Sequence, residues 1–356
     1  MSESTLCRSL VVTSDYNNLF QAMLNCKGNG VGWKPHVQGF VKNGCTNCYQ
    51  LSKQLTSGTY RSGPYKYFTI YEPKKRHIVA MYMKDRVVHR CFSDNYFYEL
   101  ITKSFIYDNF ACQRGKGTLK ARNRFKYQLQ KHFRKYGMNG YMLKLDIHNF
   151  FGSIPHHKLM EMLEPRVDEF AYNFIYQMIS IYETGKDENG MPVGIFLGSI
   201  ITQLLGIAML DRLDHIIKEN LKIEHYVRYN DDMILISKDK EKLVDALNTI
   251  IEYLEKIGLS LNLNKSRIYR IDERIEFLRF NYRLTNTGKV IITVPKYRLK
   301  YKKRKLRNMV IACRDGKIRK DTIDEHVESY LEYISYGNNY KIKQRLKQYY
   351  LNLWEE

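Results

Sequence analysis

The sequence predicts an α+β fold, and three observations predict it. Several amphipathic stretches are long enough for helices, short apolar runs fold back on one another as antiparallel hairpins, and the composition suits a substantial core. Hydrophobic residues make up 44% and aromatic residues 13% of 356 positions, with 29 Tyr and 16 Phe. A chain of that length is expected to divide its core among two or three subdomains. Collagen-like, disulfide-framework and wholly disordered classes are excluded. The seven cysteines are scattered and odd in number, which fits reduced thiols in a cytoplasm.

The first sixty residues combine a short amphipathic stretch, 15–24, with a glycine-rich run at 28–32 and a polar, cysteine-bearing region, and read as an irregular extension. Cys45 and Cys48 are the one close cysteine pair, and no second pair stands near enough to complete a zinc site. Residues 65–88 alternate as a β-hairpin, with a Glu72-Pro-Lys-Lys75 turn and Lys74, Lys75 and Arg76 at its edge. Residues 87–103 and 118–136 read as helices, separated by a flexible loop at 113–117 that carries Arg114 and Lys116.

Residues 141–147 form an apolar strand with Asp146 near its end, and 226–237 read as two short strands folded back around Asn230-Asp231. Between them lies mostly helix. The uncharged stretch 191–210 is long enough to span a membrane but is interrupted by Gly194, Gly198, Ser199, Thr202 and Gln203, so the membrane reading is rejected. Residues 240–257 form a further amphipathic helix. Residues 259–263 and 275–284 are strand-like, and Asn286-Thr-Gly288 is a hairpin turn.

Charge gives the first functional direction. Lys and Arg number 58 against 37 Asp and Glu, a net charge of +21, which points to a polyanionic partner. Eight of the twelve residues from 296 to 307 are Lys or Arg, with Tyr297, Leu299, Tyr301 and Leu306 interleaved. That pattern suits a nucleic-acid backbone, and a solvated helical face is the alternative.

The sharpest constellation pairs Leu143-Lys-Leu-Asp146-Ile-His-Asn-Phe-Phe151-Gly-Ser-Ile154 with Tyr226-Val-Arg-Tyr-Asn-Asp231-Asp232. Two adjacent carboxylates at the turn of an apolar hairpin repel one another in a partly desolvated site. Divalent cations relieve that repulsion, and a third acid, Asp146, on a neighbouring strand would complete a set of hard oxygen ligands suited to Mg2+. Two such ions serve in-line phosphoryl transfer. An ordinary acidic turn is the alternative reading of Asp231-Asp232 taken alone.

These motifs resemble the bacterial reverse transcriptases, from about Leu51 to about Tyr340. Tyr229-Asn-Asp-Asp232 is similar to the Tyr-x-Asp-Asp box of that family, and residues 146–154 to its Asp-Ile-x-x-Phe-Phe-x-Ser-Ile box. The segments 57–65, 72–76, 84–89 and 111–118 resemble the enzymes of diversity-generating retroelements, with defence-associated reverse transcriptases next. The resemblance implies a right-hand polymerase: an N-terminal extension at 1–55, fingers at 56–140, a palm with an antiparallel sheet at 141–290 into which a finger segment of about 156–200 is inserted, and a helical thumb at 291–356.

It further implies that Asp146, Asp231, Asp232 and Lys265 are catalytic, with Asp146, Ile147, Asp231 and Asp232 holding two Mg2+ (or Mn2+) ions and Lys265 acting as general acid toward pyrophosphate. A surface lysine is the alternative for Lys265. Arg76 and Arg86 are expected to clamp the triphosphate, Phe151 to exclude a ribose 2′-hydroxyl, and Gln203 to lie beneath the template base and nucleotide. A core aromatic is the alternative for Phe151. Arg114, Lys116, Lys296, Arg298, Lys300, Lys302, Lys303, Arg304, Lys305 and Arg307 are expected to touch nucleic acid. The implied activity is RNA-directed DNA synthesis from deoxynucleoside triphosphates on a structured template RNA, with a primer or cDNA strand, and with a small basic accessory protein or second reverse-transcriptase subunit as partner. An antiphage enzyme using a dedicated non-coding RNA, and a non-catalytic maturase-like scaffold, are the rival readings. Asn230 in the acidic box, Thr202 and Phe196 in the 194–203 segment, and Arg279 in Phe277-Leu-Arg-Phe280 depart from the family pattern.

Overall fold

A computed structural model describes residues 7–28, 30–71 and 76–355. The chain begins with α1 (Arg8–Ser14), α2 (Tyr16–Gly28), α3 (Pro35–Lys42) and α4 (Gly44–Thr56), so the expectation of an irregular extension is corrected. The amphipathic stretch at 15–24 falls largely within α2, while α1 and α3, at seven and eight residues, are too short for a strong periodic signal. Their buried faces, Leu19, Ala22 and Met23 on α2 and Cys48, Leu51 and Leu55 on α4, share one core with Val87, Val88 and Cys91 of α5 (Met83–Phe92).

Strands β1 (Tyr65–Ile70) and β2 (Arg76–Met81) pair antiparallel, from Tyr65 opposite Met81 to Ile70 opposite Arg76. The expected turn at Glu72-Pro-Lys-Lys75 lies outside the described residues. The helix expected over 87–103 starts earlier, at Met83, and continues through a π-helical turn (Ser93–Phe97) into α6 (Tyr98–Thr102). α7 (Thr118–Tyr136) follows.

The central sheet is assembled from distant segments. After β3 (Tyr141–Asp146) come α8 (Phe150–Ser153), α9 (His156–Leu163), α10 (Glu169–Ile179), the two-residue pair β4 (Gly185–Lys186) and β5 (Pro192–Val193), α11 (Ile200–Met209) and α12 (Asp211–His215). Then β6 (His225–Tyr229) and β7 (Asp232–Ser237) form the acidic hairpin, and α13 (Lys240–Lys256) leads to β8 (Arg267–Arg270). The sheet order is β6-β7-β3-β8, antiparallel throughout. No helix among the described residues is long and apolar enough to cross a membrane; α11 carries much of the uncharged stretch and is buried.

Two strand expectations change. Residues 259–263 are not a strand: Leu261 makes an isolated bridge to Ile147, and the amides of Lys265 and Ser266 close a turn on the Asn262 carbonyl. The run 275–284 is two strands, β9 (Ile275–Phe277) and β10 (Phe280–Leu284), hinged at Leu278 and Arg279, whose φ angles are 46° and 74°. β11 (Val290–Thr293) completes a second sheet in the order β11-β10-β9. Three helices, α14 (Lys296–Arg314), α15 (Lys320–Ile334) and α16 (Tyr340–Glu355), close the described chain.

The sheet divides the interior. Successive side chains on a strand face opposite sides, so Leu143, Leu145, Met233 and Leu235 join the core beneath the N-terminal helices, α9, α10 and α11. Met142, Ile234 and Ile236 join a second core built from α7, the β9–β11 sheet and the last three helices. Burial on both faces explains why β3 and β7 read as continuous apolar runs. The architecture is that of a right-hand polymerase: one face of the four-stranded palm sheet packs on the N-terminal helices and α9–α11, and the other on α7, the β9–β11 sheet and the last three helices.

Candidate active site

The acidic residues meet by register. Asp146, last in β3, is the direct cross-strand partner of Asp232, first in β7, while Tyr229 of β6 pairs with Asp232 and leaves Asn230 and Asp231 as a two-residue turn. Asn230 has a φ of 54°. Asn tolerates that left-handed region better than a branched or bulky residue does, which gives its presence in the box a local reason.

Asp146, Asp231 and Asp232 line one cavity of 830 Å3 together with Arg76, Lys144, Lys265, Leu278, Arg279, Tyr297 and Arg298. A neighbouring cavity of 590 Å3 shares Arg76, Tyr229, Asn230 and Asp231 and is walled by Phe151, Gln203, Cys112 and Tyr182. Asp231 therefore stands at the junction of a cleft under the thumb and a pocket under the fingers.

Burial raises the Asp232 carboxyl to about 7, with Asp231 and Asp146 pushing the same way and Lys144 opposing them. Burial and the Asp146 charge also raise Asp231, against Lys265 and Arg76. Asp232 Oδ1 is buried without a hydrogen bond, its nearest cation being Lys144 Nζ at 3.9 Å. A crowded, oxygen-only set with an unsatisfied buried carboxylate oxygen fits a hard divalent cation. Among the described residues, no three His, Cys, Asp or Glu side chains are already gathered around one cation position. Lys265 Nζ instead holds both Asp146 oxygens, at 2.8 and 2.9 Å. The amides of His148 and Asn262 bond across to Ser260 and Asp146 on either side of Ile147, so those two bonds leave the Ile147 carbonyl unused.

The other expected residues divide into those the fold brings together and those it does not. Arg76 lines both cavities. The Phe151 ring lies in the 590 Å3 pocket directly over α11, where a Cβ at Gly206 would stand 2.7 Å from Cε1. Gln203 lines the same pocket, and its Oε1 accepts from the Cys112 thiol at 3.3 Å.

Arg86 lines neither cavity; its backbone carbonyl accepts from the Cys26 thiol of α2. Lys116 is taken up internally, donating to the carbonyls of Ile106, Tyr107 and Asn109. Arg114 pairs with Asp94 and stacks on Tyr98. On α14, Lys302 is buried, donates to the His326 carbonyl and lies over the Tyr330 ring, because its position faces the thumb core. Arg298 is tied to Glu276 at 2.9 Å, and Lys303 lies over Tyr349. Lys305 is half-buried, while Lys296, Lys300, Arg304 and Arg307 are exposed.

Sequence reasoning missed four residues at this site. Lys144 faces the acids because it shares the Asp146 side of β3, two positions away, a signal available from strand alternation. Arg122 of α7 donates to the Leu278 carbonyl at 2.8 Å and packs against Phe280, Tyr333 and Tyr336. Glu276 binds Tyr297 and Arg298 at the start of α14. Arg228, within the acidic hairpin itself, is wholly buried.

Comparison with known proteins adds the following. The family model described as reverse transcriptase (RNA-dependent DNA polymerase) matches residues 71–282. The COX1/OXI3 intron 2 protein of Saccharomyces cerevisiae is 23% identical over an alignment of 204 residues, with 41% of this chain and 24% of that one covered. Among solved structures, telomerase from Candida albicans in complex with a TWJ fragment of telomeric RNA is 13% identical at a TM-score of 0.49, covering 83% of this chain and 55% of that one. Apo telomerase from Candida tropicalis, truncated of its C-terminal domain, is 14% identical at 0.47, covering 64% and 54%. The chain thus spans about a quarter of its curated relative's length.

Proposed function

The chain belongs to the reverse transcriptase family, whose model covers more than half of it, and from that membership we propose that it is an RNA-directed DNA polymerase. The observation that carries the reading is the register that sets Asp146 opposite Asp232, with Asp231 in the adjoining turn, at the junction of two cavities.

Asp146 and Asp231 would hold the divalent cations, which we take to be Mg2+, with Asp232 as the supporting acid and the Ile147 carbonyl within the set. Such ions, when bound, lower the charge cost at the attacking and departing oxygens of nucleotidyl transfer. The chain's own groups do the rest. The Arg76 guanidinium offers paired donors to the triphosphate, the Phe151 ring closes the sugar side of the pocket, and Lys265 would release Asp146 and meet the departing pyrophosphate charge. The exposed face of α14 would follow the backbone of the template-primer duplex.

The motif segments at 57–65 and 111–118 support a narrower reading, an enzyme like those of diversity-generating retroelements, copying a structured RNA. Primer extension on poly(rA)/oligo(dT) with Mg2+ and dTTP tests the activity. Wild type is expected to extend the primer and Asp231→Ala/Asp232→Ala to leave it unextended; equal product from the two would remove the assignment of these acids.

A further inference from the structure

Arg228 and Asp214 are both wholly buried, and each is the other's counter-ion. Arg228 precedes the acidic turn by two residues on β6, and Asp214 lies on α12. The guanidinium forks onto Asp214, with Nε to Oδ1 at 2.7 Å and Nη2 to Oδ2, while Nη2 also reaches the Ile207 carbonyl on α11 at 3.3 Å. Its remaining nitrogen, Nη1, donates to the Asn230 carbonyl at 3.1 Å. The Tyr226 hydroxyl adds a second donor to Asp214 Oδ1 at 2.7 Å. The Arg228 backbone is fixed as well: its amide donates to the Asp108 carbonyl, and its carbonyl accepts from the Phe110 amide.

We propose that this buried pair is a positioning device, with Arg228 holding the Asn230 carbonyl so that the left-handed turn presents Asp231 toward Asp146. The proposal rests on the assignment of these acids as cation ligands. A buried pair is a costly way to gain stability, because desolvation offsets most of the attraction. Here one donor is spent on the carbonyl between Tyr229 and Asp231, within a turn whose φ of 54° needs support from its surroundings. The planar fork matters: three nitrogens address Asp214, α11 and the turn at once, which a lysine ammonium at the end of a flexible stem cannot do. Arg228 lines neither cavity, so it acts through the turn and not on substrate.

The test compares wild type with Arg228→Lys, Tyr226→Phe and Asp231→Ala/Asp232→Ala, using the full chain. Mn2+ binding is followed by electron paramagnetic resonance, melting by circular dichroism, and template-primer affinity by fluorescence anisotropy. Arg228→Lys is expected to weaken Mn2+ binding about tenfold or more, as loss of a ligand-orienting partner does, with kcat falling further than KM for the nucleotide changes and template-primer affinity kept. Tyr226→Phe, which leaves the charges in place and removes one hydrogen bond to Asp214, is expected to shift Mn2+ binding in the same direction by about two- to tenfold, and it decides the matter if Arg228→Lys does not fold. A lowered melting temperature with unchanged Mn2+ affinity in the folded variants overturns the proposal, since that is what a purely structural ion pair gives. Wild type that binds no Mn2+ removes the ligand assignment and the brace with it. Wild type that binds Mn2+ and loses it in the double acid variant, beside folded Arg228→Lys and Tyr226→Phe that bind normally, overturns the brace alone.

Discussion

Replacing Asp232 by asparagine should make the metal-free protein more stable while abolishing synthesis. The carboxyl is raised from 3.8 to about 7 by burial, with two neighbouring acids adding to it, and the side chain keeps 22% exposure. A rise of about three units at ~1.4 kcal/mol each amounts to ~4 kcal/mol of strain once the group is ionised. Because the folded value lies above the unfolded one, the wild-type chain keeps this stability below about pH 4 and loses it as pH climbs through about 7. Asparagine mimics the protonated acid in shape and never ionises. An unfolding entropy of ~2.1 cal/mol/K per residue turns the difference into about 5 °C of melting temperature at pH 8.5, shrinking to about 2 °C at pH 5. The assay is a thermal melt in chelator across that pH range, repeated with Mg2+. In Mg2+ the gap should narrow, because the cation offsets the repulsion in wild type and gains little from the variant. A melting temperature for Asp232→Asn equal to or below wild type at pH 8.5, or a gap that does not widen with pH, would refute the reasoning.

The remaining predictions concern the pocket and the thumb. Gly206→Ala should raise KM for deoxynucleotides, because its Cβ would meet the Phe151 ring at 2.7 Å and push it into the pocket; steady-state kinetics beside Phe151→Ala, expected to admit ribonucleotides about tenfold more readily, would show it. Arg76→Ala should raise the same KM with a smaller effect on template-primer affinity, read by the two titrations side by side. Lys300→Ala, Arg304→Ala and Arg307→Ala should each reduce the slope of log affinity against log salt by about 0.7–0.9. Lys302→Ala should leave that slope alone and lower the melting temperature, since Lys302 is buried against Tyr330.

Much of the palm was legible because its strands announce themselves. Residues 141–147 and 226–237 are largely apolar, the first with Asp146 near its end and the second folding back at Asn230-Asp231, so the positions of Asp146, Asp231 and Asp232 could be read before their register was known. Arg86 lines neither cavity; resemblance supplies its residue type, whereas the face of α5 on which it falls depends on packing against α2, which the sequence alone does not reveal. The basic run at 296–307 was legible as a helix and illegible as a surface. Four of its eight cations are exposed and Lys302 faces inward, a division set by how α14 packs on α15 and α16. The Leu278-Arg279 turn was hidden because neither residue favours a positive φ; the turn is held by Arg122, 156 positions away in the chain.

The central claim is that Asp146 and Asp231 share divalent cations at the point where the fingers pocket meets the thumb cleft. Crystals of the chain with template-primer, an unreactive nucleotide and Mn2+, measured at the manganese absorption edge, test it most directly. Anomalous density is expected between the Asp146 and Asp231 carboxylates, with Lys265 withdrawn from Asp146. Anomalous density elsewhere, or an intact Lys265–Asp146 pair beside a bound nucleotide, would contradict it.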